Sequence, residues 1–239
     1  MASTSILYNN HTYNLSYELK NPNQEKKILI LHGWGANKEL MQQAFSKYLK
    51  DYTHIYLDLP GFGKSNVAEI IVSKDYVNII NEFLKSKKFD IDIFIGHSYG
   101  GKIATLLCKE NQKLILLSSA GIVVKKSLKV RLKIKIFKFL KKLGFSHFYK
   151  FFVSKDGANL SPLMYEIFKK IVDENFEDFF KNQKAITLIF WGKYDKATPL
   201  SSGEKIHSLI KNSTFYALEG DHFFFLKEGK FISDKIRGL

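Results

Sequence analysis

The chain has 239 residues, 45% of them hydrophobic, 37 Lys or Arg against 23 Asp or Glu, and a single cysteine. That length suits one α/β domain with an insertion, and no apolar run approaches the ~20 residues that span a bilayer. Cys108 alone excludes an internal disulfide, Met1–Asn10 has neither the basic start nor the apolar stretch of a secretory signal, and the cytoplasm is the default compartment.

In chain order, Ser5–Tyr8 and Thr12–Leu19 read as two strands turned at Asn9-Asn10, a pair that tolerates positive φ. Lys27–Leu31 is a buried strand ending in His32-Gly33-Trp34-Gly35, and Asn37 caps a helix expected to run to about Lys50. His54–Leu57 is the next strand, running into Asp58-Leu59-Pro60-Gly61-Phe62-Gly63-Lys64-Ser65. That loop ends in Gly-Lys-Ser, but a phosphate-binding loop needs a glycine where Asp58 stands, so nucleotide binding is rejected. Asp58 and Gly61 are expected only to shape a turn. A helix over Lys74–Lys87 follows.

The most informative stretch comes next. Ile91–Ile95, apolar except for Asp92, predicts a short buried strand. It leads into Gly96-His97-Ser98-Tyr99-Gly100-Gly101, after which Ile103, Ala104, Leu106 and Leu107 take helical spacing. Strand, G-x-S-x-G and helix compose a nucleophile elbow. The glycines leave room where a Cβ would strike the adjoining strand or helix, and Ser98 stands over a helix N-terminus that favours anions. Cys108 falls on the apolar face of this helix and reads as core.

Lys113–Leu117 is a further strand. Ala185–Trp191 is the one after it, and residues 121–184 between them are rich in helix formers and aromatics, which predicts a helical cap inserted into a core of residues 1–120 and 185–239. Trp191-Gly192-Lys193-Tyr194-Asp195, a helix over Ser202–Ile210, a strand over Ser213–Leu218, Gly220-Asp221-His222 and a last helix complete the chain. Strands alternating with helices argue a mainly parallel sheet covered on both faces.

A serine hydroxyl needs a base within hydrogen-bond reach, and the base needs a carboxylate to orient it. Parallel strands gather their C-terminal ends at one rim. Asp195 and His222 each follow a strand and so emerge at the rim of Ser98, in the order Ser98, Asp195, His222. His11, His54, His147 and His207 lack such a placement. His32 and His97 flank the site as structural braces, and Tyr194 and Asp221 are bystanders.

On these motifs the chain resembles the α/β-hydrolases with a helical cap over nearly its whole length, and is most similar to small bacterial carboxylesterases, including pimeloyl-carrier-protein methyl esterases. The resemblance implies catalysis by Ser98, His222 and Asp195, an oxyanion hole of the Trp34 and Tyr99 backbone N–H groups, and no metal or organic cofactor. The expected reaction is hydrolysis of a carboxylic ester or thioester with a small to medium acyl group. The competing readings are carbon–carbon bond hydrolysis or a lyase step on the same fold, and a ligand-binding or signalling protein that retains the triad. Asp221 departs from the small residue common before the base. It either acts on the imidazole or faces solvent.

The charge is unevenly placed. Residues 121–155 hold eleven Lys or Arg and no acid, which leaves +3 of the net +14 for everything else. At helical spacing Leu128, Leu132, Ile136, Phe139, Leu140 and Leu143 share one face, and Arg131, Lys135, Lys138 and Lys142 the opposite one. Like charges four apart cost a helix about 0.2–0.5 kcal/mol each. The face is either solvated lysine or a surface for an anionic membrane or an acidic acyl-carrying protein. Nucleic acid is disfavoured because no binding module accompanies the charge. Phe145, Phe148, Tyr149, Phe151 and Phe152 are expected to pack the cap and line an apolar acyl pocket.

Overall fold

A computed structural model describes residues 2–123 and 160–239 of the chain. Eight strands form one sheet in the order β1-β2-β4-β3-β5-β6-β7-β8. These are β1 (Ala2–Tyr8), β2 (His11–Lys20), β3 (Lys27–Leu31), β4 (Thr53–Leu57), β5 (Ile93–His97), β6 (Lys113–Leu117), β7 (Ile186–Gly192) and β8 (Ser213–Leu218). The described helices are α1 (Lys38–Phe45), α2 (Ser73–Lys87), α3 (Tyr99–Leu107), α4 (Pro162–Ile171), α5 (Glu177–Asn182), α6 (Leu200–Leu209) and α7 (Phe225–Arg237).

The β1–β2 hairpin turns at Asn9 and Asn10, with φ of 48° and 62°, the left-handed angles that asparagine tolerates best after glycine. β2 pairs antiparallel with β4, while β4, β3, β5, β6, β7 and β8 all run parallel. The C-terminal ends of those six strands therefore share one rim. This is the mainly parallel sheet that the sequence predicts.

Both faces of the central strands are apolar because both are covered. On one face Ile28, Ile30, Tyr56, Ile93, Ile95, Ile115 and Phe190 pack with Met41 and Phe45 of α1 and Phe225, Ile232 and Ile236 of α7. The rings of Phe45 and Phe225 stack 6.4 Å apart across those two helices. Truncating either to alanine is expected to cost ~3–5 kcal/mol. On α2, Tyr76, Ile79, Ile80, Phe83 and Leu84 recur at helical spacing and are the buried side.

Two expected elements shift. The helix capped by Asn37, whose side chain accepts from Leu40 N–H at 3.3 Å, stops at Phe45 instead of continuing to Lys50. Leu49 turns to a φ of 48°, and its carbonyl accepts from His54 Nε2 at 2.9 Å, so the last apolar residues of the pattern sit in a buried turn. The elbow strand begins at Ile93 and not at Ile91, because Asp92 caps the neighbouring strand: its carboxylate accepts from Lys27 N–H at 2.7 Å.

The chain divides into two compact units, Met1–Ile122 with Asn175–Leu239, and Val123–Glu174. In the first, α5 is joined to the end of β6 by Phe176 N–H donating to Gly121 C=O at 2.8 Å. In the second, α4 starts at Ser161, whose hydroxyl accepts from Met164 N–H at 3.3 Å, with Pro162 opening the helix. The basic face of Arg131, Lys135, Lys138 and Lys142, the aromatics Phe145 to Phe152 and His147 lie outside the described residues. No described helix is long and apolar enough to cross a membrane.

Candidate active site

Ser98 sits between β5 and α3 with φ 51° and ψ −115°, a conformation that costs a non-glycine residue on the order of 1–3 kcal/mol. The surroundings impose it. Ser98 N–H donates to Leu117 C=O at 3.0 Å, and its own carbonyl accepts from Gly101 and Ala120 N–H, both at 3.0 Å. The flanking glycines are sterically required: a Cβ on Gly96 would run into the Gly100 carbonyl, and one on Gly100 would lie 2.5 Å from His32 C=O and 2.7 Å from Leu31 C=O. Tyr99 is the first residue of α3, so its N–H belongs to the open end of that helix.

The loop after β3 lies directly against the serine. A Cβ on Gly33 would be 3.0 Å from Ser98 Cβ and 2.9 Å from His97 Nδ1. Trp34, the next residue, packs edge-on against Phe62 at 4.7 Å and Tyr99 at 5.7 Å. The two residues expected to hold an oxyanion thus touch one another through their rings.

His32 braces this loop, as expected of it. Its Nδ1–H donates to Gly33 C=O at 2.8 Å, and its Nε2 accepts from Leu59 N–H at 3.0 Å. Burial pulls its pKa down to about 4, so it is neutral at physiological pH. Asp58 does more than shape a turn. Its carboxylate, fully buried, accepts from Lys38 N–H at 2.8 Å, Lys38 Nζ at 2.6 Å and Lys64 N–H at 3.0 Å. The equally buried Lys38 also meets Glu39 at 2.9 Å. Burial opposes its charge, but these carboxylates outweigh that and raise its pKa. Asp58 thereby ties the N-terminus of α1 to the loop containing Phe62.

Asp195 and His222 are brought together. His222 Nδ1 lies 2.7 Å from Asp195 Oδ2, which fixes the tautomer with the proton on Nδ1 and leaves Nε2 as the acceptor. The aspartate side chain is fully buried and the imidazole 15% exposed. Asp195 Oδ1 also accepts from Ala197 and Thr198 N–H at 2.8 and 2.9 Å, and Oδ2 from Thr198 Oγ1–H at 2.8 Å. Burial pushes the carboxyl upward, but the bond and charge of His222 and the Thr198 amide prevail and hold it down at about 2. The loop carrying His222 is joined to the elbow through His97, whose Nε2 lies 3.0 Å from His222 C=O. Asp221 is exposed, and its carboxylate accepts from Phe223 N–H at 2.9 Å. Tyr194 is also exposed, and Cys108 is buried with its thiol pushed up to about 12.

Two participants escape the sequence reading, and a third is read without its partner. Lys38 carries no signal, since an isolated lysine reads as surface. Thr198 is visible only as a hydroxyl three residues after Asp195, a spacing suited to a side-chain turn. His97 is recognisable as a neighbour of Ser98, but not as a partner of His222.

Residues 26–123 match the family model for the alpha/beta hydrolase fold. The pimeloyl-[acyl-carrier protein] methyl ester esterase of Proteus mirabilis is 30% identical over 84 residues, a segment covering 35% of this chain and only 31% of that protein. The uncharacterized hydrolase YugF of Bacillus subtilis is 24% identical over 86% of both chains. Among solved structures, the esterase EaEST from Exiguobacterium antarcticum superposes with a TM-score of 0.73 at 22% identity, covering 95% of each chain.

Proposed function

Starting from a chain that has the α/β-hydrolase fold, we propose that it is a serine esterase in which Ser98 is the nucleophile, His222 the base and Asp195 the orienting acid. The observation that carries this reading is the 2.7 Å bond from His222 to a fully buried Asp195, on a loop tied to the strained turn of Ser98. Ser98 Oγ attacks the ester carbonyl carbon while His222 Nε2 takes the hydroxyl proton. The carbonyl oxygen becomes an oxyanion, held by the Trp34 and Tyr99 N–H groups. Collapse breaks the carbon–oxygen bond to the alcohol, and His222 returns its proton to that leaving oxygen. Water then repeats the sequence on the acyl-serine, releasing the carboxylic acid and regenerating Ser98.

An ordinary ester carbonyl needs only these groups, so the reading calls for no metal or organic cofactor. The edge-on packing of Phe62 and Tyr99 on Trp34, one of the residues proposed to hold the oxyanion, supports an apolar acyl group. The eleven cations of residues 121–155 suit an acyl group delivered on an acidic carrier protein. The test is a panel of p-nitrophenyl esters of increasing acyl length with the wild type and Ser98→Ala. The wild type should turn them over, and the variant should lose activity by a factor on the order of 10⁶. A folded Ser98→Ala protein within tenfold of wild type would remove the serine from the mechanism. A wild type that turns over no ester would favour the carbon–carbon hydrolase or binding-protein readings.

A further inference from the structure

His97 lies beside Ser98, yet no step of the proposed reaction uses it. The residue is 1% exposed. It packs at 4.6 Å from both His222 and Phe225, and at 5.6 Å from Phe223. Its Nε2 meets the His222 carbonyl oxygen at 3.0 Å. A carbonyl can only accept, so Nε2 carries the proton and Nδ1 keeps a lone pair. That Nδ1 is buried, faces Gly33 and has no hydrogen-bond partner among the described residues.

The topology explains why this contact matters. In the sheet, β8 stands three places from β5, with β6 and β7 between them. The loop leaving β8 is held to the end of β7 by Lys193 N–H donating to Leu218 C=O at 2.9 Å and Tyr194 N–H to Gly220 C=O at 3.0 Å. Those bonds, like the one to Asp195, locate His222 relative to β7. Ser98, however, stands at the end of β5. Among the described hydrogen bonds, the one from His97 is the link from the His222 loop to the elbow itself.

We propose that His97 is a positioning residue, which as a neutral imidazole ties the backbone of His222 to the nucleophile elbow and so sets the distance from the base to Ser98. The proposal rests on the serine-esterase reading. Neutrality is part of the device. Burial first, and then the charge of the neighbouring His222, drives the pKa of His97 well below its ordinary value; the hydrogen bond to the His222 carbonyl and the charge of Asp195 oppose this, and His32 adds to it. Two imidazoles 4.6 Å apart would resist a second proton, so a neutral His97 leaves His222 alone to become imidazolium during turnover. A misplacement of about 1 Å between reacting groups can cost on the order of 10²-fold in rate.

The experiment compares His97→Phe, which keeps a ring without a donor, with His97→Gln, whose terminal amide can reach the same carbonyl. With a p-nitrophenyl ester, His97→Phe should lower kcat on the order of 10²-fold with KM within threefold, and His97→Gln should recover most of the loss. In ¹⁵N imidazole spectra, His97 should appear as the Nε2–H tautomer and not titrate between about pH 5.5 and 8.5, and the low-field Nδ1–H signal of His222 should weaken in His97→Phe and persist in His97→Gln. A His97→Phe kcat within threefold of wild type, an equal deficit in both variants, or an Nδ1–H tautomer would overturn the proposal. Ser98→Ala is assayed alongside: if it retains turnover, the esterase reading fails, while the tautomer and the His222 signal still decide the role of His97. Should His97→Phe not fold, the kcat of His97→Gln and the wild-type spectra decide between the same outcomes.

Discussion

Gly33→Ala tests the geometry of the site with a single methyl group. Gly33 does not adopt a positive φ, so alanine meets no backbone strain there. The obstacle is contact: the new Cβ would lie 3.0 Å from Ser98 Cβ and 2.9 Å from His97 Nδ1. Carbon atoms pack best at about 3.5–4.0 Å, so the loop must back away from the serine by roughly 0.5–1 Å. Neither neighbour yields easily, because Ser98 is fixed by three backbone hydrogen bonds and His97 is buried. In the proposed mechanism, that displacement carries the Trp34 N–H away from the oxyanion. Losing one such donor costs on the order of 10²–10³-fold, and a partial loss should lower kcat/KM about 10²-fold, or ~2.7 kcal/mol of transition-state stabilisation. Overpacking of this kind also costs ~1–3 kcal/mol of stability. The assay is p-nitrophenyl acetate hydrolysis well below the melting temperature, with circular dichroism to show that the variant is folded. A folded Gly33→Ala enzyme within threefold of wild type in kcat/KM would refute the placement of this loop as one wall of the reaction site.

Three further outcomes are expected. Asp195→Asn should keep the fold and lower kcat by about 10⁴, because His222 loses the carboxylate that selects its tautomer; a nearly neutral effect in steady-state kinetics would mean another acid serves. Asp195 has its folded pKa held at about 2, below the ordinary 3.8, so it contributes roughly 2 kcal/mol above pH ~4 that is lost as pH falls toward 2. Thr198→Val removes one donor to that carboxylate, so its acid-unfolding midpoint should move to higher pH, and an unchanged midpoint in a pH titration of far-UV ellipticity would dismiss that contribution. Reversing Arg131, Lys135, Lys138 and Lys142 should leave hydrolysis of a small neutral ester unchanged yet lower kcat/KM for an acyl group on an acidic carrier protein, with a deficit that shrinks as salt rises; equal rates at low salt would mark the face as solvated lysine.

The elbow was legible because its signals are local: an apolar run, glycines at two fixed offsets from a serine, then helical spacing. Asp195 and His222 were legible by a different route, since parallel strands deliver whatever follows them to one rim. Lys38 was not, because its burial depends on Asp58, twenty residues on in the chain and visible as a partner only once β3 and β4 are paired. The length of α1 is not legible for a related reason. Tyr48 and Leu49 continue an apolar pattern, but His54 captures the Leu49 carbonyl and the backbone there turns left-handed. Asp92 sits in an apolar run that reads as strand, while its carboxylate is engaged by Lys27 N–H on the neighbouring strand. Each of these depends on a tertiary partner that local periodicity does not encode.

The central claim is that Ser98 is an activated nucleophile, and covalent labelling tests it most directly. Incubation with a fluorophosphonate, followed by intact mass and peptide mapping, should show one adduct per chain, located on Ser98. The reaction should be lost in Ser98→Ala and slowed severely in a folded His222→Ala protein. An unlabelled wild type, or an adduct on any residue other than Ser98, would contradict the account.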